Sequence, residues 1–82
     1  MNAKSFITRA ERHSVELRGY ALGPGRDSDI HVADLSYGGC QITSGDEFKT
    51  GEVVELRIIK RGAAAAEIRW SADGRAGARF LN

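Results

Sequence analysis

Apolar and polar residues alternate with a period of two along most of the chain, a pattern typical of β-strands with one buried face. The first such stretch covers residues 15–22 and ends at the turn-forming tripeptide Gly23-Pro24-Gly25. Further stretches follow at residues 30–35, 40–43, 54–59, 63–71 and 76–80. Six short strands separated by turn signals predict an all-β fold, a small six-stranded antiparallel β-barrel that leaves no sheet edge exposed.

The second stretch changes its parity part-way along. Ile30 and Val32 share one side of a strand, whereas Leu35 falls on the other side. All three can face the core only if a β-bulge re-aims the strand at Ala33 and Asp34. Because bulges often lie beside functional sites, this part of the strand is a candidate site.

The segment at residues 63–71 could be helical from its four alanines, but Ile68 and Trp70 alternate with polar residues and favour a strand. Asp73-Gly74 follows, and it is the strongest hairpin signal in the chain because both central positions of a type I′ turn need positive φ. We expect Trp70 in the core, although its partly polar ring could border a ligand site.

The sequence also predicts whether three other residues are buried or exposed. Cys40 occupies a core position, where cysteine behaves as a small hydrophobe. His31 alternates away from its apolar neighbours and is expected to face solvent. Phe48 lies in the loop at residues 44–51 and is expected to tuck beneath one end of the barrel.

Length and charge narrow the class of protein. A chain of 82 residues supports one core, so we expect a barrel domain at residues 15–82 after a flexible N-terminal arm at residues 1–14, with no C-terminal helix. Twelve basic and eleven acidic side chains give a net charge of +1, which predicts neither a nucleic-acid binder nor a membrane binder. The chain has no secretory signal and a single cysteine, so a cytoplasmic location is expected.

Residues able to support catalysis are few and scattered. The chain has two histidines and one cysteine, which give neither a metal-ligand spacing nor a paired nucleophile and base. The sequence therefore predicts a non-enzyme without a cofactor or a metal.

The stretch Asp34-Leu35-Ser36-Tyr37-Gly38-Gly39 departs from the simple strand pattern. On an extended backbone Asp34 and Ser36 point to the same side, and Gly38 and Gly39 let another group approach the main chain closely. The same residue types also cap backbone donors in ordinary turns, and Tyr37 could either stack on a base or simply be exposed.

Four motifs carry a resemblance to a known family. Asp34-x-Ser36-x-x-Gly39 is similar to the Asp/Asn-x-Ser-x-x-Gly signature of PilZ domains, bacterial receptors for the second messenger cyclic di-GMP. Gly51-x-Val53-Val54-x-Leu56, Ile68-x-Trp70 and Gly77-x-Arg79-Phe80 resemble later strands of the same barrel. The resemblance runs from about Arg9 to Phe80 and implies a PilZ-type barrel that binds cyclic di-GMP.

The resemblance also implies an Arg-x-x-x-Arg motif before the first strand, and here that motif is irregular. Arg12 stands where the second arginine is expected, whereas Thr8 stands where the first is expected, and Arg9 is the nearest alternative. The implied ligand-binding residues are Arg9, Arg12, Asp34, Ser36, Gly38 and Gly39. Arginine forks suit phosphate oxygens and the guanine O6 and N7 edge, and a carboxylate can accept from the guanine N1 and N2 donors. We expect weakened binding.

Two functions are weighed from these motifs. The first is a cyclic di-GMP-binding signalling module that changes the surface it offers to a protein partner when the ligand binds. The alternative is a degenerate PilZ domain that acts as a nucleotide-independent protein-interaction adapter. A nucleic-acid-binding barrel is disfavoured by the near-neutral charge and sparse aromatic residues. A monomer or weak homodimer is expected.

Overall fold

The computed structural model describes residues 13–81, which form only strands, turns and loops. The strands begin and end within two residues of the positions that alternation predicts, except that the second begins four residues earlier. They are β1 (His13–Gly23), β2 (Arg26–Leu35), β3 (Gly39–Thr43), β4 (Val53–Ile58), β5 (Gly62–Ala72) and β6 (Arg75–Phe80).

The six strands close into a barrel in the order β1-β2-β3-β6-β5-β4, and every neighbouring pair is antiparallel. The β1–β4 pairing, in which Gly19 lies opposite Ile58, completes the ring. The predicted six-stranded antiparallel barrel is therefore confirmed.

The core consists of the inward-facing side chains of all six strands. Ile42, Leu56 and Ile68 are fully enclosed at its centre, and each such burial contributes about 1.5–3 kcal/mol relative to exposure. Leu17, Leu35 and Phe80 are partly buried and pack against this cluster. The buried apolar residues are Ala21, Ile30, Val32, Cys40, Ile42, Phe48, Val54, Leu56, Ile58, Ala66, Ile68, Ala76 and Ala78.

One end of the barrel is covered by the loop at residues 44–51. Phe48 in this loop is buried, as predicted, and the Arg26 guanidinium lies 4.1 Å from the centroid of its ring. Arg26 also donates from Nη2 to the backbone carbonyl of Glu47, at 2.6 Å, and from Nη1 to Ser28 Oγ, at 2.9 Å. Arg26 thus ties the loop to β2.

The same arginine forms an ion pair with Glu52, at the far end of the loop. The Lys49 backbone N–H donates to Glu52 Oε1 at 3.0 Å. Hydrogen bonding from Arg26 is the main cause that lowers the pKa of Glu52 from its ordinary value.

The predicted hairpin turn between β5 and β6 is present. Asp73 and Gly74 both have positive φ, at 53° and 77°, as a type I′ turn requires. The Ser44 backbone N–H donates to the Gly74 carbonyl at 3.0 Å, so this turn is also joined to the loop that covers the barrel end.

Three register shifts interrupt the described strands: one lies in β1 between Ser14 and Leu17, and the other two re-aim outward side chains of β2 and β5. The register of β2 against β3 shifts between Val32 and Asp34, which confirms the predicted bulge. A second shift, between Ile68 and Trp70 of β5, was not expected from the sequence. Because Arg69 is the extra residue there, Trp70 turns outward and is 42% exposed, so the prediction of a core Trp70 was wrong.

Candidate functional site

Four residues form one outward-facing row across four neighbouring strands. Asp34 of β2 lies opposite Gln41 of β3, Gln41 lies opposite Gly77 of β6, and Gly77 lies opposite Trp70 of β5. The bulges in β2 and β5 lie at the two ends of this row. With strands about 4.8 Å apart, the row spans about 14 Å between its end residues.

A groove of about 290 Å³ follows this row, and we call it the signature groove. Gly77 has no side chain and is buried in the middle of the row, between Gln41 and Trp70. Four of the predicted binding residues, Asp34, Ser36, Gly38 and Gly39, line one end of the groove. Arg69, Trp70 and Arg79 line the rest of its wall.

The Trp70 indole lies across Gly77. A Cβ built on Gly77 would be 2.1 Å from Trp70 Nε1 and 2.6 Å from Cε2. Glycine at position 77 is therefore a packing requirement, and it holds the indole flat against the β6 backbone. The outer part of the ring is left exposed as an aromatic surface in the groove.

Ser36 and Gly39 close the turn between β2 and β3. The Ser36 backbone N–H donates to the Gly39 carbonyl at 2.9 Å, and Ser36 Oγ donates to the same oxygen at 3.3 Å. The Gly38 carbonyl accepts from the Phe80 backbone N–H at 2.8 Å, which fixes the turn to the end of β6. The serine hydroxyl thus has the turn-closing role, while its oxygen still lines the groove.

The two glycines of the turn differ in what surrounds them. A Cβ on Gly39 would lie 2.1 Å from the Ala78 carbonyl oxygen, so glycine is needed there for the close approach of β3 and β6. A Cβ on Gly38 would have no neighbour within 4 Å. Gly39 is therefore needed for strand packing in the barrel, whereas Gly38 is the position with open space for a ligand.

Arg69 and Arg79 supply positive charge to the groove. Arg69 Nη1 lies 3.8 Å from Glu67 Oε1 in an exposed ion pair of little energetic weight, and Arg79 is exposed. Sequence reasoning did not identify either arginine, nor Gln41, as a groove residue. The available signal was Gly77, a glycine at an outward position of a strand whose neighbours Ala76 and Ala78 face the core.

Two predicted binding residues, Arg9 and Arg12, lie outside the described residues. His13 is the first residue of β1, and its Cα is paired with that of Leu35. The chain therefore enters the barrel beside the turn at residues 36–38 that joins β2 to β3.

The geometry agrees with a comparison against known protein families. The model of the PilZ domain matches residues 7–82. The chain belongs to the PilZ family. Members of this family are ligand-binding receptor modules for cyclic di-GMP, so the resemblance carried by the four motifs is confirmed. Among curated proteins, none matches the chain.

Across residues 13–81, no three His, Cys, Asp or Glu side chains come together in a way that could hold a metal ion. No helix in that part of the chain is long and apolar enough to span a membrane.

Proposed function

We propose that this PilZ domain is a cyclic di-GMP-binding signalling module and that the signature groove receives one side of the ligand. The observation that carries the proposal is the row from Asp34 to Trp70, which places a carboxylate and an aromatic ring at the two ends of one groove.

Each end of the row suits a different part of the ligand. The Asp34 carboxylate can accept hydrogen bonds from the N1 and N2 donors of one guanine. The exposed face of Trp70 can stack on a base, an interaction worth about 1–3 kcal/mol per base. Arg69 and Arg79, on the same wall, supply fork-shaped donors for phosphate oxygens.

The volume of the groove indicates that other residues complete the site. At about 290 Å³ it is at the lower limit of the ~300–1,000 Å³ typical of small-molecule pockets, whereas a cyclic dinucleotide is a large ligand. Arg12 directly precedes His13 in the sequence, and His13 pairs with Leu35, the last residue of β2 before the turn at residues 36–38. Arg9 and Arg12 are therefore the residues we assign to the opposite side of the ligand.

Ligand binding would then order the segment that carries Arg9 and Arg12 over the signature groove. This change alters the surface next to β1 and the turn at residues 36–38. We expect a partner protein to bind this surface. The proposal needs no catalytic step.

Isothermal titration of the folded protein with cyclic di-GMP tests the proposal. We expect Arg12→Ala to abolish binding and Thr8→Arg to strengthen it, because the second change restores the Arg-x-x-x-Arg spacing. Asp34→Ala should weaken binding by about tenfold to a hundredfold, the loss of a charged hydrogen-bond acceptor. Asp27→Ala, at an exposed position of the same strand, is the matched control and should leave the affinity unchanged.

The absence of binding heat from a verified folded protein at high micromolar concentration would refute the proposal. Unchanged affinity in both Arg12→Ala and Thr8→Arg would refute the assignment of the arginine motif while leaving the groove in place.

One observation favours the second function, a nucleotide-independent adapter. Ser36 closes the turn and Gly39 allows β3 to approach β6, so two residues of the signature serve the fold itself. A chain that had lost the ligand would still need both. A protein partner recovered in equal amounts with and without cyclic di-GMP would support this function.

A further inference from the structure

A second groove, of about 470 Å³, lies on the outer surface of β1, β2 and β3, and we call it the basic groove. Its wall includes the side chains of Arg18, Tyr20, Asp29, His31, Thr43 and Ile59. None of these residues lines the signature groove, and none belongs to the signature.

Basic side chains are aligned along this surface by the strand register. Arg18 lies opposite His31, His31 lies opposite Thr43, and Thr43 lies opposite Arg75. All but Thr43 are exposed. By strand spacing the row covers about 14 Å, which is the length of about four residues of extended chain.

More positive charge stands next to the groove. Arg57, the cross-strand partner of Tyr20, is paired with Glu55 at 3.3 Å, whereas Lys60 and Arg61 follow Ile59 in the turn between β4 and β5 and add positive charge. Asp29 is the one acidic side chain in the lining, against Arg18 and His31. This face therefore carries an excess of basic groups on a protein whose net charge is only +1.

The groove also has an unexplained apolar component. Tyr20 is 45% exposed and Ile59 is 47% exposed, and both line the groove. The Ile59 backbone N–H donates to the Arg18 carbonyl at 2.9 Å, which holds the isoleucine beside the basic row. An aromatic and an aliphatic side chain within a basic rim have the composition of a protein-binding surface.

We infer that the basic groove docks an extended acidic segment of a partner protein. Its carboxylates contact Arg18, His31 and Arg75, and one of its apolar side chains lies between Tyr20 and Ile59. The inference does not depend on cyclic di-GMP, because the two grooves have separate linings.

The shape of the surface favours a peptide over an anionic membrane. A lipid surface is flat, whereas this groove is concave, so an extended chain can enter it more fully than a plane of lipid phosphates can. An extended peptide also has backbone N–H groups, which can donate hydrogen bonds to the Asp29 carboxylate.

The test uses two labelled, capped heptapeptides, one in which Glu alternates with Leu and Phe, and one in which Lys replaces every Glu. Fluorescence anisotropy with the full chain measures the affinity at about 50 mM and about 500 mM salt, and NMR amide shifts locate the contact. We expect the acidic peptide to bind at least about tenfold more tightly than the basic one, with an advantage that shrinks at high salt. Its shifts should fall on residues 18–20, 29–31, 43–45, 59 and 75.

Matched variants distinguish binding in the groove from non-specific binding elsewhere on the surface. Arg18→Glu and Ile59→Ser should each weaken the acidic peptide by at least about fivefold. Lys49→Glu and Val53→Ser make the same changes at exposed positions outside the groove and should alter the affinity by less than about twofold.

Equal binding of the two peptides, shifts confined to residues outside this set, or equal loss in groove and control variants would each overturn the inference. So would binding to phosphatidylserine vesicles with none to the acidic peptide. A parallel titration with cyclic di-GMP, followed at residues 34–41 and 77, reports on the proposed function separately.

Discussion

The Trp70 indole and the Gly77 backbone are in direct contact across β5 and β6, and a Cβ at residue 77 would be 2.1 Å from Trp70 Nε1. This contact is possible because the β5 bulge places Trp70, rather than Arg69, opposite Gly77. The orientation of the only tryptophan in the chain is therefore fixed by a glycine on another strand.

Gly77→Ala should displace the indole from β6. Overpacking of this kind costs about 1–3 kcal/mol of unfolding free energy. We expect a shift in tryptophan emission and at least about fivefold weaker binding of cyclic di-GMP, since a displaced ring no longer offers the same stacking surface. Gly45→Ala, where the added Cβ has no neighbour within 4 Å, is the control. Unchanged emission and affinity in Gly77→Ala would contradict the role given to this contact.

Gly39→Ala should mainly lower stability, whereas Gly38→Ala should mainly lower the affinity for the nucleotide. Gly39→Ala places a Cβ against the Ala78 carbonyl, so its unfolding free energy should fall by about 1–3 kcal/mol in urea titrations. Gly38→Ala should change stability by less than about 0.5 kcal/mol but reduce nucleotide affinity, since its Cβ projects into open space at the groove. If both variants are equally stable, β3 and β6 do not need glycine at position 39.

The ion pair between Arg26 and Glu52 should make stability depend on pH. The pKa of Glu52 is lowered in the folded protein, so unfolding takes up a proton as the pH falls below the ordinary value of 4.5. The stabilisation is complete above that value and is lost as the pH falls through the lowered pKa. Glu52→Gln should therefore be less stable than the wild type at pH 7, with a difference that narrows in acid.

Denaturant titrations across pH 3–7 measure this difference. Glu55→Gln is the control, because the pair of Glu55 with Arg57 is exposed on both sides and should contribute little. A wild-type advantage over Glu52→Gln that stays constant down to pH 3 would contradict the assignment.

Cys40 should be chemically inert in the folded protein. Burial raises the pKa of its thiol to about 11, which leaves roughly one thiolate in a thousand at pH 8. We expect alkylation of the native protein to be at least about a hundredfold slower than alkylation in denaturant. Comparable rates would show that β3 opens readily, since Cys40 is then reached without global unfolding.

Sequence patterns predicted the parts of the fold that depend on neighbours along the chain. The parity conflict between Val32 and Leu35 located the β2 bulge, and Asp73-Gly74 located the last hairpin. Both signals are local, because a bulge or a type I′ turn constrains consecutive residues.

The part of the site that sequence patterns did not predict depends on pairing between residues far apart in the chain. Ile68 and Trp70 share a parity, so nothing in their own segment revealed the extra residue between them. It becomes visible only when β5 is aligned with Ala78 and Gly77 of β6. Arg69 and Arg79 escaped prediction for the same reason, since their place in the groove follows from register across strands rather than from a motif.

The bulges of β2 and β5 have a consequence for how such a site can change in evolution. β3 and β6 pair regularly through Gln41 and Gly77, while the irregular strands β2 and β5 carry Asp34 and Trp70. One residue added to β6 between Gly77 and Ala78 would give Arg69 a partner, restore regular pairing and turn Trp70 to the same face as Ile68, into the barrel. Gain or loss of a groove-facing side chain in this fold can therefore occur through a change in strand length, with every amino acid of the motif retained.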